Sequence, residues 1–211
     1  MIEKRLALPE GKPRRRGKAT AKTDGRENRR KRDIQQAHIC LGCRGFRYMD
    51  ERKYPLFVMN TVLGAGMSSR LFQRVRERNG LAYSVYSFHE SFADTGVFGI
   101  YAGTEESQVP RAEELIREEL DRIASTPLKP VELKRAKDQL KGSVTLGLES
   151  SSSRMHRLAR MEMYLGDYLT LDELLARIDS VSTEQVQQVA ADLFRGDLYT
   201  AYVLPSAGRT S

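Results

Sequence analysis

The order of segments in this chain predicts an α+β fold, a mainly antiparallel sheet packed against a block of helices. Three observations carry that reading. From Ile34 to Ala102 the sequence holds alternating runs rich in Val, Tyr and Phe, with helical stretches between them. After Thr104 the apolar spacing becomes helical and stays so up to Gly196. A last alternating run, Leu198 to Leu204, then returns, and a strand in that place is expected to pair back with the first ones.

Each element has its own warrant. In IQQAHICLG, Ala37, Ile39 and Leu41 share one face, and Gln36, His38 and Cys40 the other, as in a half-buried strand. Asp50 is expected to cap a helix that runs to Leu63, with Tyr54, Phe57, Val58, Thr61 and Val62 on one side. Gly64 to Gly66 breaks that helix. Ser68 or Ser69 is placed to cap a second one, whose stripe is Leu71, Phe72 and Val75. Ala82–Phe88 and Gly96–Ala102 read as two strands joined as a hairpin.

The helical block is punctuated by its starts. Ser107 and Pro110 open a helix carrying Val109, Ala112, Leu115, Ile116, Leu120 and Ile123 at helical spacing, and Pro130 opens the next. Ser152–Leu165 and Leu171–Ile178 are two more. Ser182 and Gln185 form a capping-box pattern ahead of Val186, Val189, Ala190 and Leu193, and Gly196 ends that helix.

The chain's net charge is +7, and its location matters more than its size. Residues 1–33 hold 13 Lys and Arg against 5 Asp and Glu, a net of +8, so the rest of the chain sums to −1. Pro9 to Lys31 has almost no large apolar side chain and reads as a basic, flexible linker, with order beginning near Ile34. The expected organisation is therefore residues 1–33 as a remnant of a preceding domain plus linker, 34–205 as the folded domain, and 206–211 as a tail. No apolar run reaches the roughly 18 residues a membrane helix needs. The charged N-terminus lacks the apolar core of an export signal, and the two cysteines argue against a disulfide framework, so a cytoplasmic location is expected.

Motifs for self-contained chemistry are missing. His38, His89 and His156 lie far apart, and none belongs to a metal-binding pattern such as His-Glu-x-x-His. Cys40 and Cys43 are three apart on a strand, which turns their side chains to opposite faces and suits chelation poorly. Neither a nucleophile elbow nor a phosphate-binding loop is present. No catalytic residue and no metal ligand is assigned. The best constellation is Arg76 and Tyr83, at the end of the second helix and the start of the next strand, with Gly80 allowing a tight reversal between them. A guanidinium and a phenol can both donate hydrogen bonds to the carbonyl oxygens of a peptide, and a phenol can steady an oxyanion. A surface arginine beside an edge tyrosine is the plain alternative.

The run LGAGMSSRLFQRVRERNGLAYSVYSF resembles the C-terminal-domain signature of pitrilysin-type, or insulinase-family, zinc peptidases, the group that includes mitochondrial processing peptidase. DIQQAHICLG and LGLESSSSRMHRLARMEMYLGDYLTLDELLARIDSVSTEQVQQVAADLF extend the resemblance over roughly residues 33 to 204, nearest the bacterial branch. It implies a processing-peptidase-like metallohydrolase domain, one of two similar domains in a clamshell. The first domain of such enzymes carries zinc on an inverted His-x-x-Glu-His motif. The second contributes an Arg and a Tyr that hold the substrate backbone, and these match Arg76 and Tyr83. This sequence holds no His-x-x-Glu-His, and Met1–Pro13 resembles the closing helix of a first domain and the start of a linker.

The resemblance therefore implies the substrate-binding, non-metal half of a zinc endopeptidase, inactive alone. Its partners would be a zinc-bearing N-terminal domain or homologous subunit and an unstructured peptide. No cofactor is expected on this chain, with zinc held by the partner. A non-catalytic structural or interaction subunit of the same fold is the alternative function. Nucleic-acid binding through the basic stretch is a weaker reading, and neither a nucleic acid nor a membrane is an expected partner.

Overall fold

Strands β1 (Glu27–Arg32), β2 (Ala37–Gly45), β3 (Ser84–Ser91), β4 (Gly96–Thr104) and β5 (Tyr199–Pro205) form one sheet in the order β1-β5-β2-β4-β3. The computed structural model describes residues 27–196 and 198–206. The β3–β4 hairpin, β2–β4 and β2–β5 are antiparallel, while β1 lies parallel to β5. The sheet is thus mainly antiparallel, and the last strand does pair back with the first ones: Cys40 sits opposite Tyr101 on one side and Ala201 on the other.

Alternation sorts the side chains. Ile39, Leu41, Phe98, Ile100, Ala102 and Tyr202 are buried on one face. Against it pack α1 (Lys53–Gly64), α2 (Val109–Ser125) and α6 (Thr183–Phe194), with α3 (Pro130–Gly147), α4 (Ser151–Leu165) and α5 (Leu171–Asp179) further out. The stripe foreseen for α2 is buried throughout, from Val109 to Ile123. The capping box Ser182–Gln185 forms in full, and Thr170–Glu173 makes a second one at the start of α5. Prolines open α2 and α3 within their first turns, where the missing N–H has no helical partner to lose.

Three local expectations are corrected. The flexible linker expected up to Lys31 gives way earlier, because Glu27–Arg32 forms a strand. Every residue of β1 is exposed, so no apolar pattern marks it; its order comes from backbone pairing with β5 and from Arg29 stacked 4.5 Å from the Tyr202 ring. Charge along such an edge also discourages pairing with another molecule. Secondly, Asp50 does not cap α1 directly. Its Oδ1 accepts the Arg52 N–H at 3.0 Å, and the helix starts at Lys53. Thirdly, Ser69 does not cap the next segment, because its hydroxyl donates backward to the Gly66 carbonyl at 2.7 Å. The readings made for Met1–Leu8 and for the basic stretch up to Arg26 lie outside the described residues.

The end of α1 touches the sheet backbone itself. A Cβ on Gly64 would stand 2.1 Å from the Ser87 nitrogen. One turn earlier, the Ser87 hydroxyl donates to Asn60 Oδ1 at 2.7 Å. Helix and strand can approach this closely only without a side chain at position 64. Gly64→Ala is expected to force α1 off β3 and to cost roughly 1–3 kcal/mol, the usual range for overpacking, read as a lower denaturation midpoint with an unchanged slope.

Candidate functional site

Arg76 and Tyr83 lie on the link between α1 and β3, and that link is tied down at several points. Gly66 turns with φ +92°, and the Ala65 carbonyl beside it accepts from Gln139 Nε2 at 2.7 Å. Arg70 forks onto Glu132 of α3, with Nε and Nη2 at 2.7 and 2.8 Å from the two carboxylate oxygens. Phe72–Glu77 then winds as a π-helical turn, closed by Arg78 N–H donating to the Gln73 carbonyl at 3.0 Å. Val75 plugs this turn into the core, while Arg74 grips Glu118 and the buried Glu119 of α2, the latter at 2.6 Å. The widened turn is one of the forms helices take at functional places.

The reversal follows at once. Gly80 has φ +62° and its N–H donates to the Arg76 carbonyl at 2.9 Å. Leu81 N–H donates to the Val75 carbonyl at 2.9 Å, the Thr104 hydroxyl donates to the Leu81 carbonyl, and Tyr83 N–H donates to Gly103 at 2.8 Å. The backbone carrying both residues is therefore fixed, and both side chains are exposed, Tyr83 at 51%. They share no hydrogen bond with each other. The Arg76 guanidinium lies 4.9 Å from the Phe72 ring centre, and the Tyr83 hydroxyl donates to Glu105 Oε1 at 3.1 Å. Glu105 holds the Tyr83 phenol above its ordinary pKa by accepting that hydrogen bond and by its charge, so the hydroxyl stays a donor at neutral pH.

Beside this pair the uncovered face of the sheet carries a ladder of rings. His38 Nδ1 meets the Tyr101 hydroxyl at 2.7 Å, and Tyr101 packs 5.1 Å from Tyr86, which neighbours Phe88. Phe88 lies flat over Gly99, where a Cβ would come within 2.4 Å of its ring. Tyr86 and Phe88 are 45% and 38% exposed, a large aromatic surface for a face without a helix among the described residues. His38, Ser84 and Gly103 pair at the end of the sheet next to Tyr83.

A catalytic metal does not fit the described residues. No group of three or more His, Cys, Asp or Glu side chains among them could hold an ion. His89 is stacked 4.8 Å from Phe57, with burial pushing its pKa down, and His156 sits on α4 bonded to the Ser152 carbonyl. Cys43 points to the core side, where burial pushes its thiol up to about 12, and Cys40 lies on the other face in line with Tyr101. No helix among the described residues is long and apolar enough to cross a membrane.

A family model described as the peptidase M16 inactive domain matches residues 1–140, which is more than half of the chain. The chain belongs to the peptidase M16 family. It is 46% identical over 177 residues to an uncharacterized zinc protease of Streptomyces coelicolor, covering 84% of this chain and 39% of that relative. An uncharacterized zinc protease of Bacillus subtilis is 44% identical over 182 residues, covering 86% and 44%. The M16 chain thus spans about two fifths of the length of these relatives. Among solved structures, a peptidase M16 inactive domain from Pseudomonas fluorescens superimposes with a TM-score of 0.77 at 22% identity, covering 88% of this chain and 45% of that one. A conserved protein from Enterococcus faecalis gives 0.78 at 24%, covering 95% and 46%. These likenesses agree with the α+β, processing-peptidase-like fold expected from the sequence.

Sequence reasoning singled out Arg76 and Tyr83 but not the ring ladder. Its signal was present: Tyr86 and Phe88 stand in the phase opposite to buried Val85, where polar residues are usual. The clamp that holds the turn is testable through Glu132, whose carboxyl is kept below its usual range chiefly by the Arg70 hydrogen bond. A folded pKa below the unfolded one stabilises above the unfolded value and fades as pH falls through the folded one. Glu132→Gln is expected to cost about 1–2 kcal/mol at pH 7, discounted for its partial exposure. The difference from the parent should shrink below about pH 4.5 in urea melts taken across the acid range.

Proposed function

We propose that this M16 chain is the substrate-binding, non-metal half of a zinc-dependent endopeptidase, working with a zinc-bearing N-terminal domain or a homologous subunit. The observation that carries the reading is the pinned reversal that presents Arg76 and Tyr83, seven residues apart and both open to solvent, within the inactive domain of a family whose relatives are named zinc proteases. Two donors on a fixed backbone suit the carbonyl oxygens of an extended, unstructured peptide, and holding that backbone in place beforehand lowers the ordering cost of binding. Zinc and the activation of water would come from the partner, since the described residues of this chain supply no ligand set. The stretch before β1 would then be the connection to the zinc-bearing domain.

The ring ladder supports the same reading. An aromatic face next to Tyr83 suits a partner surface or the wall of a cleft. A structural or interaction subunit of the same fold is the second reading. It is favoured by the partners the two side chains already have, since the Tyr83 hydroxyl would have to leave Glu105, and Arg76 its place on Phe72, to meet a substrate.

Peptidase assays on an unstructured peptide separate the two. The chain alone is expected to be silent, and a mixture with a zinc-motif-bearing M16 first domain to be active. Arg76→Ala or Tyr83→Phe should lower that activity by about tenfold or more, as the loss of a transition-state donor does. A mixture that associates but stays silent would support the structural subunit.

A further inference from the structure

Among the described helices, α4 is the one that shares no extensive contact with any single other element. Met161 is the one buried residue of its fifteen. Tyr164 stacks 4.6 Å from Tyr48, and Arg160 pairs with Glu90 of β3 at 3.4 Å. Arg154 and Arg157 bond to the Leu148 and Leu169 carbonyls, which belong to the turns flanking the helix and not to the body beneath it. On the outer side Met155, Leu158 and Met163 face solvent, so nothing among the described residues clamps α4 from without.

Beneath α4 lies a cavity of about 160 Å³, walled by Phe57 of α1, His89 of β3, Met161 of α4 and Leu174 of α5. The His89 ring is half-buried there and stacked 4.8 Å from Phe57. The charged groups around the same cavity are Lys53 from α1, Glu90 beside His89 on β3, and Arg157 and Arg160 from α4; Tyr48 and Tyr54 add phenols, and α5 adds Leu174. Arg160 is exposed, so water screens its charge. Loss of water around the ring is what holds His89 below its ordinary pKa, and Glu90 is the group that opposes the shift. With α4 in place the Glu90 carboxylate is engaged by Arg160. With α4 lifted, an imidazolium at position 89 gains water and a Glu90 carboxylate released from Arg160.

We propose that α4 is an acid-released flap: a proton on His89 favours lifting of the helix from α1 and β3, which opens the cavity beneath it. The other walls are too well rooted to yield. Phe57 sits between the buried Leu56 and Val58 of α1, and β3 is fixed through buried Val85 and Ser87. Lifting α4 gives up the burial of Met161, one ring stack and one exposed ion pair. A base whose closed-state pKa lies below its open-state value takes up a proton on opening. Opening is therefore insensitive to pH above the open-state value, about 6.5 for histidine, and becomes easier as pH falls from there toward the closed-state value. Each pH unit in that window raises the open population by at most about tenfold. The device uses neither Arg76 nor Tyr83 and stands apart from the peptidase reading.

Amide hydrogen exchange of the full chain between about pH 7.5 and about pH 5.5, with each rate divided by its intrinsic rate at that pH, tests the flap. The opening constant for Met155–Leu165 should rise on acidification by up to about tenfold, while α2 and β4 stay unchanged. His89→Phe keeps a ring against Phe57 and cannot titrate, so the acid response of α4 should vanish in it. The His89 ring protons, assigned by their loss in that variant or, should it misfold, in His89→Gln, should titrate below about pH 6.5 in the parent. Three results would overturn the proposal: an α4 opening constant that does not move with pH, an acid response retained in His89→Phe, or an acceleration shared equally by α2. A His89 ring that titrates at or above about pH 6.5 would overturn it without any variant.

Discussion

Among the described residues, helices cover one side of this sheet, and most of the molecule's character descends from that asymmetry. Ile39, Leu41, Phe98, Ile100 and Ala102 are sealed beneath α1, α2 and α6, so the register of β2 and β4 has no freedom: a slip by one residue would send that whole set to solvent. The seal is tightest where Gly64 meets the backbone of β3. From that contact the chain must leave α1 toward solvent, cross to α3 through Gln139 and Glu132, return to α2 through Arg74, and enter β3 at its end. Arg76 and Tyr83 are exposed because they stand on that return path, outside the seal.

The clamps on the path are ionic and partly buried. Glu119 is almost wholly buried and holds both Arg74 and Arg122, so removal of one arginine leaves it a second partner. Buried carboxylates of this kind contribute less to net stability than to a defined geometry, and here the geometry is that of the π-helical turn and the reversal after it. A rigid backbone under two exposed side chains suits recognition. Tyr83 and Arg76 can exchange Glu105 and Phe72 for other partners without moving the chain that bears them.

Much of this was legible in the amino-acid sequence, for physical reasons that differ by element. Alternation gave β2 and the hairpin strands, because one face of each is buried; prolines and the Ser182–Gln185 box gave the helix starts, because these act within one turn. Strand β1 was illegible because all its side chains are exposed and only its backbone is paired. The π-helical form of Phe72–Glu77 was hidden because the carboxylates that Arg70 and Arg74 grip around it, Glu118, Glu119 and Glu132, lie more than forty residues away. The site divides in the same way. Arg76 and Tyr83 are close in sequence and were singled out from it; Glu105 and the ring ladder depend on cross-strand contacts that no local pattern reports.

The proposal at the centre is that a zinc-bearing partner would meet this chain at the reversal and at the sheet face that the described helices leave open, rather than at its helical side. Hydrogen–deuterium exchange of this chain, alone and with a zinc-motif-bearing M16 first domain, reads that directly. Slowed exchange at the Arg76–Tyr83 reversal and along the edge strand β3, with α3 and α5 unchanged, is the predicted footprint. Protection confined to the helical layer, with the reversal exchanging as freely as before, would contradict it.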